Sequence, residues 1–278
     1  MIGGTGGPDG PGVSFDAGRR AGGVLAKIGY YVPSALAILV LVLIWHVAVT
    51  WWGVREYIMP TPGAAVAALF DPKYRWLSNL MTTLYAIIGG FAISAVVGVG
   101  LGILTVWNSF LERTIMPLLV LFNTLPKVAL APLFVIWLGY GVVPNIVIAV
   151  TVAFFPVVIN TAAGLSRVDP DLIDLVRSLK GSKWQIFTKI RLPNSLPYIF
   201  AGLKLNATLS VIGAIVGEFV ASESGLGALI IIGGVTLDTP SIFASLCLIS
   251  GLGLALYALV VVVERITMPW EFRETTTP

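Results

Sequence analysis

Few side chains in this 278-residue chain have the type and spacing needed to make or break bonds. The only histidine, His46, has no second His, Cys or carboxylate at ligand spacing, which argues for an interhelical hydrogen bond and against a metal site or proton relay. The only cysteine, Cys247, cannot close a disulfide within the chain and reads as a packed thiol. No GxxxxGK(S/T) phosphate loop occurs. The chain is therefore expected to hold no catalytic residue, no metal and no cofactor of its own. If it does work that needs ATP and magnesium, both must sit on a partner.

The informative stretch is mechanical. Residues 168–193, VDPDLIDLVRSLKGSKWQIFTKIRLP, form a charged island between apolar runs. Asp169 is placed to cap a helix, with Pro170 at its first position and Asp171 at the positive end of its dipole. Leu172, Leu175, Val176 and Leu179 follow at i, i+3, i+4 and i+7, one apolar stripe. Gly181 breaks the run. Ser182 with Gln185 has the form of a capping box and opens a second helix carrying Trp184, Ile186, Phe187 and Ile190. Pro193 disfavours a helical Leu192, so the second helix is expected to stop there. Two helices too short to cross a bilayer and too apolar for water predict a docking groove on another protein. Arg177, Lys183 and Lys189 would set the charge around its rim.

The elements that position this island are membrane-grade. The chain is 57% hydrophobic and 11% charged, with a mean hydropathy of +0.93, whereas soluble domains carry about 25% charged residues. Windows 79–105, 142–165 and 241–263 contain no charge at all, and each meets the roughly 20 apolar residues that a spanning helix needs. The expected spans are 31–52, 80–105, 115–138, 142–165, 196–217 and 241–263, giving an all-α membrane protein with six transmembrane helices and the island between the fourth and fifth. Residues 1–29 are expected to form a disordered tail, 30–268 the membrane domain with the helix pair at 169–192, and 269–278 a C-terminal tail. The late, retained first apolar run does not read as a cleaved leader. Lys and Arg gather before the first span and in the island, which places both termini and the island in the cytoplasm. Basic residues interleaved with spans offer no face for nucleic acid. Tyr30, Tyr31, Trp45, Trp51 and Trp52 read as interface aromatics.

The island resembles the cytoplasmic coupling loop of type I ABC importer permease subunits, whose pattern is Glu-Ala-Ala, three residues, Gly, nine residues, Ile-x-Leu-Pro. Anchored on Ile190, Arg191, Leu192 and Pro193, the acidic position falls on Asp174, the two alanines on Leu175 and Val176, and the glycine on Lys180, with Gly181 one place late. The stretch 125–134 (LPKVALAPLF), Trp137-Leu138-Gly139, Phe155-Pro156, Asn160-Thr161, Ser224-Gly225-Leu226-Gly227 and Met59-Pro60-Thr61-Pro62 are similar to the subfamily importing sulfonates, taurine and nitrate. The resemblance runs from about residue 60 to 265. It implies the transmembrane domain of an importer in the bacterial inner membrane, not itself an enzyme. It also implies a homodimer with two ATP-binding subunits below and an extracytoplasmic substrate-binding protein above. Related systems take up thiamine precursors, riboflavin or aromatic carboxylates.

Span 3 holds Pro126 and Pro132 around Lys127, and proline in a span frees carbonyls that protein or water must satisfy. A broken helix there is a candidate wall of the translocation path, with Lys127 either a way-station for an anion or a snorkelling lysine. Asn123, Asn160 and Asn206 are further path candidates, each with helix–helix bonding as the plainer reading. Gly89, Gly90, Gly98, Gly100 and Gly102 predict close backbone packing. The segment after span 5 is too short to cross and predicts a re-entrant half-helix, with Glu218 either shaping an outer gate or accepting bonds from its amides. A secondary transporter is the rival function, but it needs carboxylates at mid-membrane, and none is clearly central.

Overall fold

The computed structural model describes residues 17–270, and the chain divides into two compact units, Met1–Arg55 and Glu56–Pro278. The first holds one helix, α1 (Ala17–Trp51), with Pro33 inside it and an apolar half at Ala35–Trp51. Residues 17–29, expected in a disordered tail, are helical. Extending a helix needs no new nucleus, so Arg, Ala, Leu and Lys carry it through the glycines. The rest of that tail, 1–16, and residues 271–278 lie outside the described residues, as do the side chains of Tyr30 and Tyr31.

The second unit begins with α2 (Pro62–Ala68), capped by the Thr61 hydroxyl, and a short turn at Pro72–Tyr74. Then come α3 (Trp76–Trp107), α4 (Ser109–Thr124), α5 (Ala131–Leu138) and α6 (Val142–Ser166). The island forms α7 (Pro170–Ser178) and α8 (Lys183–Ile186), followed by α9 (Leu192–Ala221), α10 (Leu226–Thr236) and α11 (Thr239–Thr267). Helices α3, α6 and α11, with the segment Lys183–Val220, are long and apolar enough to cross a membrane.

Six spans were expected, with a broken helix in the third, and the third is indeed broken. Phe110–Thr124 and Lys127–Leu138 meet at 81°, so this region supplies a fifth crossing only as a bent pair. The bend falls where Leu125, forced extended by the proline after it (φ −66°, ψ 138°), hands over to Pro126. A 3₁₀ turn at Lys127–Leu130 then restarts the helix.

Helix α6 packs between α3 and α9 and forms the centre of this unit. Its small side chains meet glycines on both neighbours. A Cβ added at Gly90 would lie 2.4 Å from Ala149 Cβ, at Gly98 2.6 Å from Val157 Cβ, and at Gly102 2.6 Å from Thr161 Cβ. On the α9 side the same test at Gly213 gives 2.6 Å to the Ala149 backbone, and at Gly217 2.7 Å to Asn145. With lipid as apolar as leucine, this proximity supplies the van der Waals attraction that holds spans together. Gly100 is the exception to the packing expectation, since a side chain there meets open space.

Polar groups fasten the same helices. Asn206 on α9 is fully buried. Its carbonyl accepts from Ser94 Oγ (2.6 Å) and Ser210 Oγ (3.0 Å), and its amide donates to the Phe91 carbonyl (3.1 Å). Lys204 on α9 donates to both oxygens of Glu264 on α11, at 2.6 and 2.8 Å. Neither of that pair was singled out from the sequence, although a lysine inside an apolar run should announce a partner charge. Cys247, expected to be packed, is exposed on α11.

Gly98→Val should lower the thermal unfolding midpoint of the detergent-purified protein sharply. Gly100→Ala should leave it unchanged or raise it, since alanine is favoured over glycine in helix interiors by about 1 kcal/mol. Fluorescence-detected melting compares the two, and equal losses would refute the seam.

Candidate functional site

The island folds as its caps dictate. Asp169 accepts the Asp171 amide at 2.9 Å and starts α7. Ser182 and Gln185 complete both halves of a capping box, at 3.2 and 2.8 Å, and start α8. Between them lies a helix end of the Schellman type: Gly181 N–H bonds Val176 O and Lys180 N–H bonds Arg177 O, each at 2.9 Å. In this motif the left-handed residue is Lys180 (φ 59°), the position where the family pattern has glycine. Gly181 is required for a different reason, because a Cβ there would meet Val176 Cγ1 at 2.4 Å and its carbonyl at 2.9 Å.

The second island helix does not stop at Pro193. Helix α8 passes through a π turn at Phe187–Arg191 directly into α9, with Leu192 helical (φ −64°, ψ −50°). Pro193 occupies the first turn of α9, where a missing N–H costs least. The i→i−5 turn takes up the extra residue, so the helix passes the proline unbroken. Leu192 and Pro193 are half-buried in this join.

The predicted apolar stripe divides into two faces. Val168, Ile173 and Ile186 are buried together, with Val176 and Ile190 packed against them. This small core ties the island to itself. Ile173 and Val168 were not among the residues picked from the sequence, although Ile173 and Val176 are three apart on one face; Ile186 was placed on the second helix but not assigned to an inner face. Leu172, Leu175, Leu179 and Trp184 point outward and are 43%, 57%, 74% and 63% exposed. Phe187 is half-buried against Trp107 at the end of α3, ring centroids 5.2 Å apart, and Trp184 lies 6.2 Å from the same ring. Asp174 pairs with Arg177 at 3.0 Å on the surface, where such pairs contribute little.

The path candidates separate into different places. At the bend, Lys127 Nζ donates to Asn123 Oδ1 one turn earlier (2.5 Å) and lies 5.9 Å from the centre of the Phe155 ring. Asn123, Pro126 and Pro132 are exposed and Lys127 is half-buried. Asn160 donates to the Pro156 carbonyl of its own helix (2.8 Å). Asn206 is fully buried in the polar contacts described above, its carbonyl taken by Ser94 and Ser210 and one amide hydrogen by the Phe91 carbonyl.

Glu218 is 1% exposed and sits beneath the start of α10. Its Oε2 accepts the Gly227 amide at 2.6 Å. Thr83 Oγ1 accepts the Leu226 amide and Asn79 Oδ1 the Gly225 amide, each at 2.8 Å. Three side chains from α3 and α9 thus satisfy the orphan donors at the N-terminus of α10. The carboxyl fits because residues 225 and 227 are glycines; a Cβ at Gly225 would stand 2.5 Å from it. At the other end Asp238 caps α11 through the Ser241 amide, while the Thr239 hydroxyl donates to the Glu56 carbonyl. Among the described residues no three His, Cys, Asp or Glu side chains gather as metal ligands.

Residues 94–267 match the family described as binding-protein-dependent transport system inner membrane component. The chain is 34% identical over 240 residues to the formylaminopyrimidine transport permease protein ThiX of Halalkalibacterium halodurans, covering 86% of this chain and 96% of that one. It is 32% identical to the riboflavin transport system permease protein RibX of Chloroflexus aurantiacus, over 85% and 89% of the two chains. It is 30% identical to the putative aliphatic sulfonates transport permease protein SsuC of Bacillus subtilis, over 83% and 84%. In fold it is similar to a chain of the inward-facing MetNI methionine ABC transporter, with a TM-score of 0.54 and 21% identity, covering 66% of this chain and 94% of that one.

Lys180→Gly should relieve a left-handed residue that costs roughly 1–2 kcal/mol, and Gly181→Ala should force Val176 aside. Hydrogen exchange over residues 170–186 is expected to slow in the first variant and accelerate in the second. Matching rates in all three proteins would refute this account of the turn.

Proposed function

The chain belongs to the family of binding-protein-dependent transport system inner membrane components, and from that membership we propose how this ABC importer permease is driven. The proposal is that it binds no nucleotide itself and takes its motion from ATP-hydrolysing subunits seated against α7 and α8. One observation carries it: Leu172, Leu175, Leu179 and Trp184 stand exposed together on elements whose opposite face is already packed. Covering these four would provide on the order of 5 kcal/mol before association costs. Such a contact suits a joint that must hold through a cycle yet release.

In this reading two copies of the chain enclose one path, and the island and both termini face the cytoplasm. ATP binding draws the two ATPase subunits together and moves α7 and α8 with them. The outer mouth then opens to a docked binding protein, and hydrolysis restores the inward state. ATP and magnesium reside on the partner, and this chain is a translocation subunit without catalysis of its own. A secondary transporter would need ion ligands at mid-membrane. Among the described residues, the buried carboxylates within the spanning helices are Glu264, paired with Lys204, and Glu218, which accepts the Gly227 amide through one oxygen and keeps the other buried without a partner.

The solute is proposed to be small and delivered by the binding protein. An anion such as a sulfonate, taurine or nitrate follows from the resemblance in the 125–139 and 224–227 segments. A formylated aminopyrimidine is the second reading, supported by the relative named for that solute at 34% identity.

Trp184→Asp and Leu179→Asp should each abolish co-purification of the ATP-binding subunit while membrane insertion stays normal. Retained co-purification in both would reject the docking surface. The cognate binding protein, screened by thermal shift against taurine, nitrate, an aminopyrimidine, riboflavin, a sugar and an organic cation, should respond to one of the first three; a response only to one of the last three would overturn both solute readings.

A further inference from the structure

Behind the exposed ridge of the island, on the side facing the end of α3, lies a cavity of about 190 Å³. Its apolar wall is Ile103 and Trp107 of α3 with Phe187 of the π turn, and its polar wall is Arg177, Lys183 and Arg191. No carboxylate lines it. Asp174 engages Arg177 from outside, but Lys183 and Arg191 form no ion pair among the described residues. The Nε–H of Arg191 is buried without an acceptor. A buried guanidinium donor left unpaired is costly, so a cavity with surplus positive charge at that point is built for an anion.

We propose that this cavity binds the phosphate headgroup of an anionic phospholipid. The volume equals about six waters, enough for a phosphodiester but not for an element of another protein. Location selects lipid over free phosphate. Ile103 and Trp107 belong to the last turns of a spanning helix, and a half-exposed Trp107 at such an end marks the headgroup layer. Basic pockets between spans at that depth hold lipid headgroups, and the exposed flank of α3 gives the acyl chains a track. Leu172, Leu175, Leu179 and Trp184 line none of the cavity, so lipid and a docked ATPase occupy different faces of the island. The lipid clamps α7, α8 and α3 into one piece by joining Arg191 and Lys183 to the foot of the span.

Native mass spectrometry of the full-length protein, released from nanodiscs of phosphatidylglycerol or phosphatidylcholine, tests this directly. Phosphatidylglycerol should be retained and phosphatidylcholine lost. Lys183→Gln, on an exposed side chain that cannot unfold the protein, should weaken retention about fivefold, and the double variant with Arg191→Gln about thirtyfold. Arg113→Gln, an exposed charge outside the cavity wall, should change nothing. Unchanged retention in the Lys183 and Arg191 variants would overturn the site. Displacement of the lipid by millimolar inorganic phosphate would assign it to a free anion. Loss of the lipid on adding the ATP-binding subunit would assign it to a protein carboxylate. Either of these last two outcomes rejects the lipid.

Discussion

Two apolar helices in hydrocarbon gain little by exchanging lipid for each other, so their association depends on how closely their backbones approach. In this molecule that constraint falls on α6, which is held between α3 and α9 by a run of positions where no Cβ fits. Gly90, Gly98 and Gly102 face α6 from one side and Gly213 and Gly217 from the other. Other contacts within this unit attach to the three-helix slab. The polar cluster of Asn206, Ser94 and Ser210 pins α3 to α9, and the Lys204–Glu264 pair attaches α11 to α9. A slab joined at backbone distance is expected to move as one body.

The island has one packed face and one open face. Its inner face closes on Val168, Ile173 and Ile186, a core too small to hold a free-standing domain but sufficient to fix α7 against α8. The Schellman turn fixes the angle between them, at the expense of a left-handed Lys180. What remains outward is apolar, exposed and rigid.

How much of this was legible from sequence depended on whether the signal was local. Caps and periods are local, and Asp169, the Ser182–Gln185 box and the apolar runs gave the helices where they are. The inner face of the island was not legible in that way. An amphipathic stripe shows which residues share a side of a helix but not which of two apolar sides meets a neighbour, so Ile173 was passed over and Ile186 was read only as part of the second helix. Pro193 misled for a related reason: the pre-proline preference is a bias on one residue, and a π turn paid for by tertiary packing overrode it. Glu218, nine residues from Gly227, was near enough for bonding to the α10 amides to be one of its two sequence readings. Long-range polar contacts such as Lys204 with Glu264, or the bonds of Asn79 and Thr83 to the start of α10, join residues far apart in the chain, and only the cost of burying them hinted that partners existed.

One feature of the join between α8 and α9 bears on amplitude. Because no flexible linker intervenes at Phe187–Arg191, the 30 residues of α9 form a rod about 45 Å long at 1.5 Å per residue, with Trp184 just below its foot and Glu218 near its far end. By simple geometry, tipping such a rod about 5° at the base swings its tip by about 4 Å, more than a water molecule's diameter. The half-helix α10 rests on that tip through the Gly227 amide. A small displacement at the α8 end of this rod would thus be geared up, at the α10 end, to the scale of an aperture.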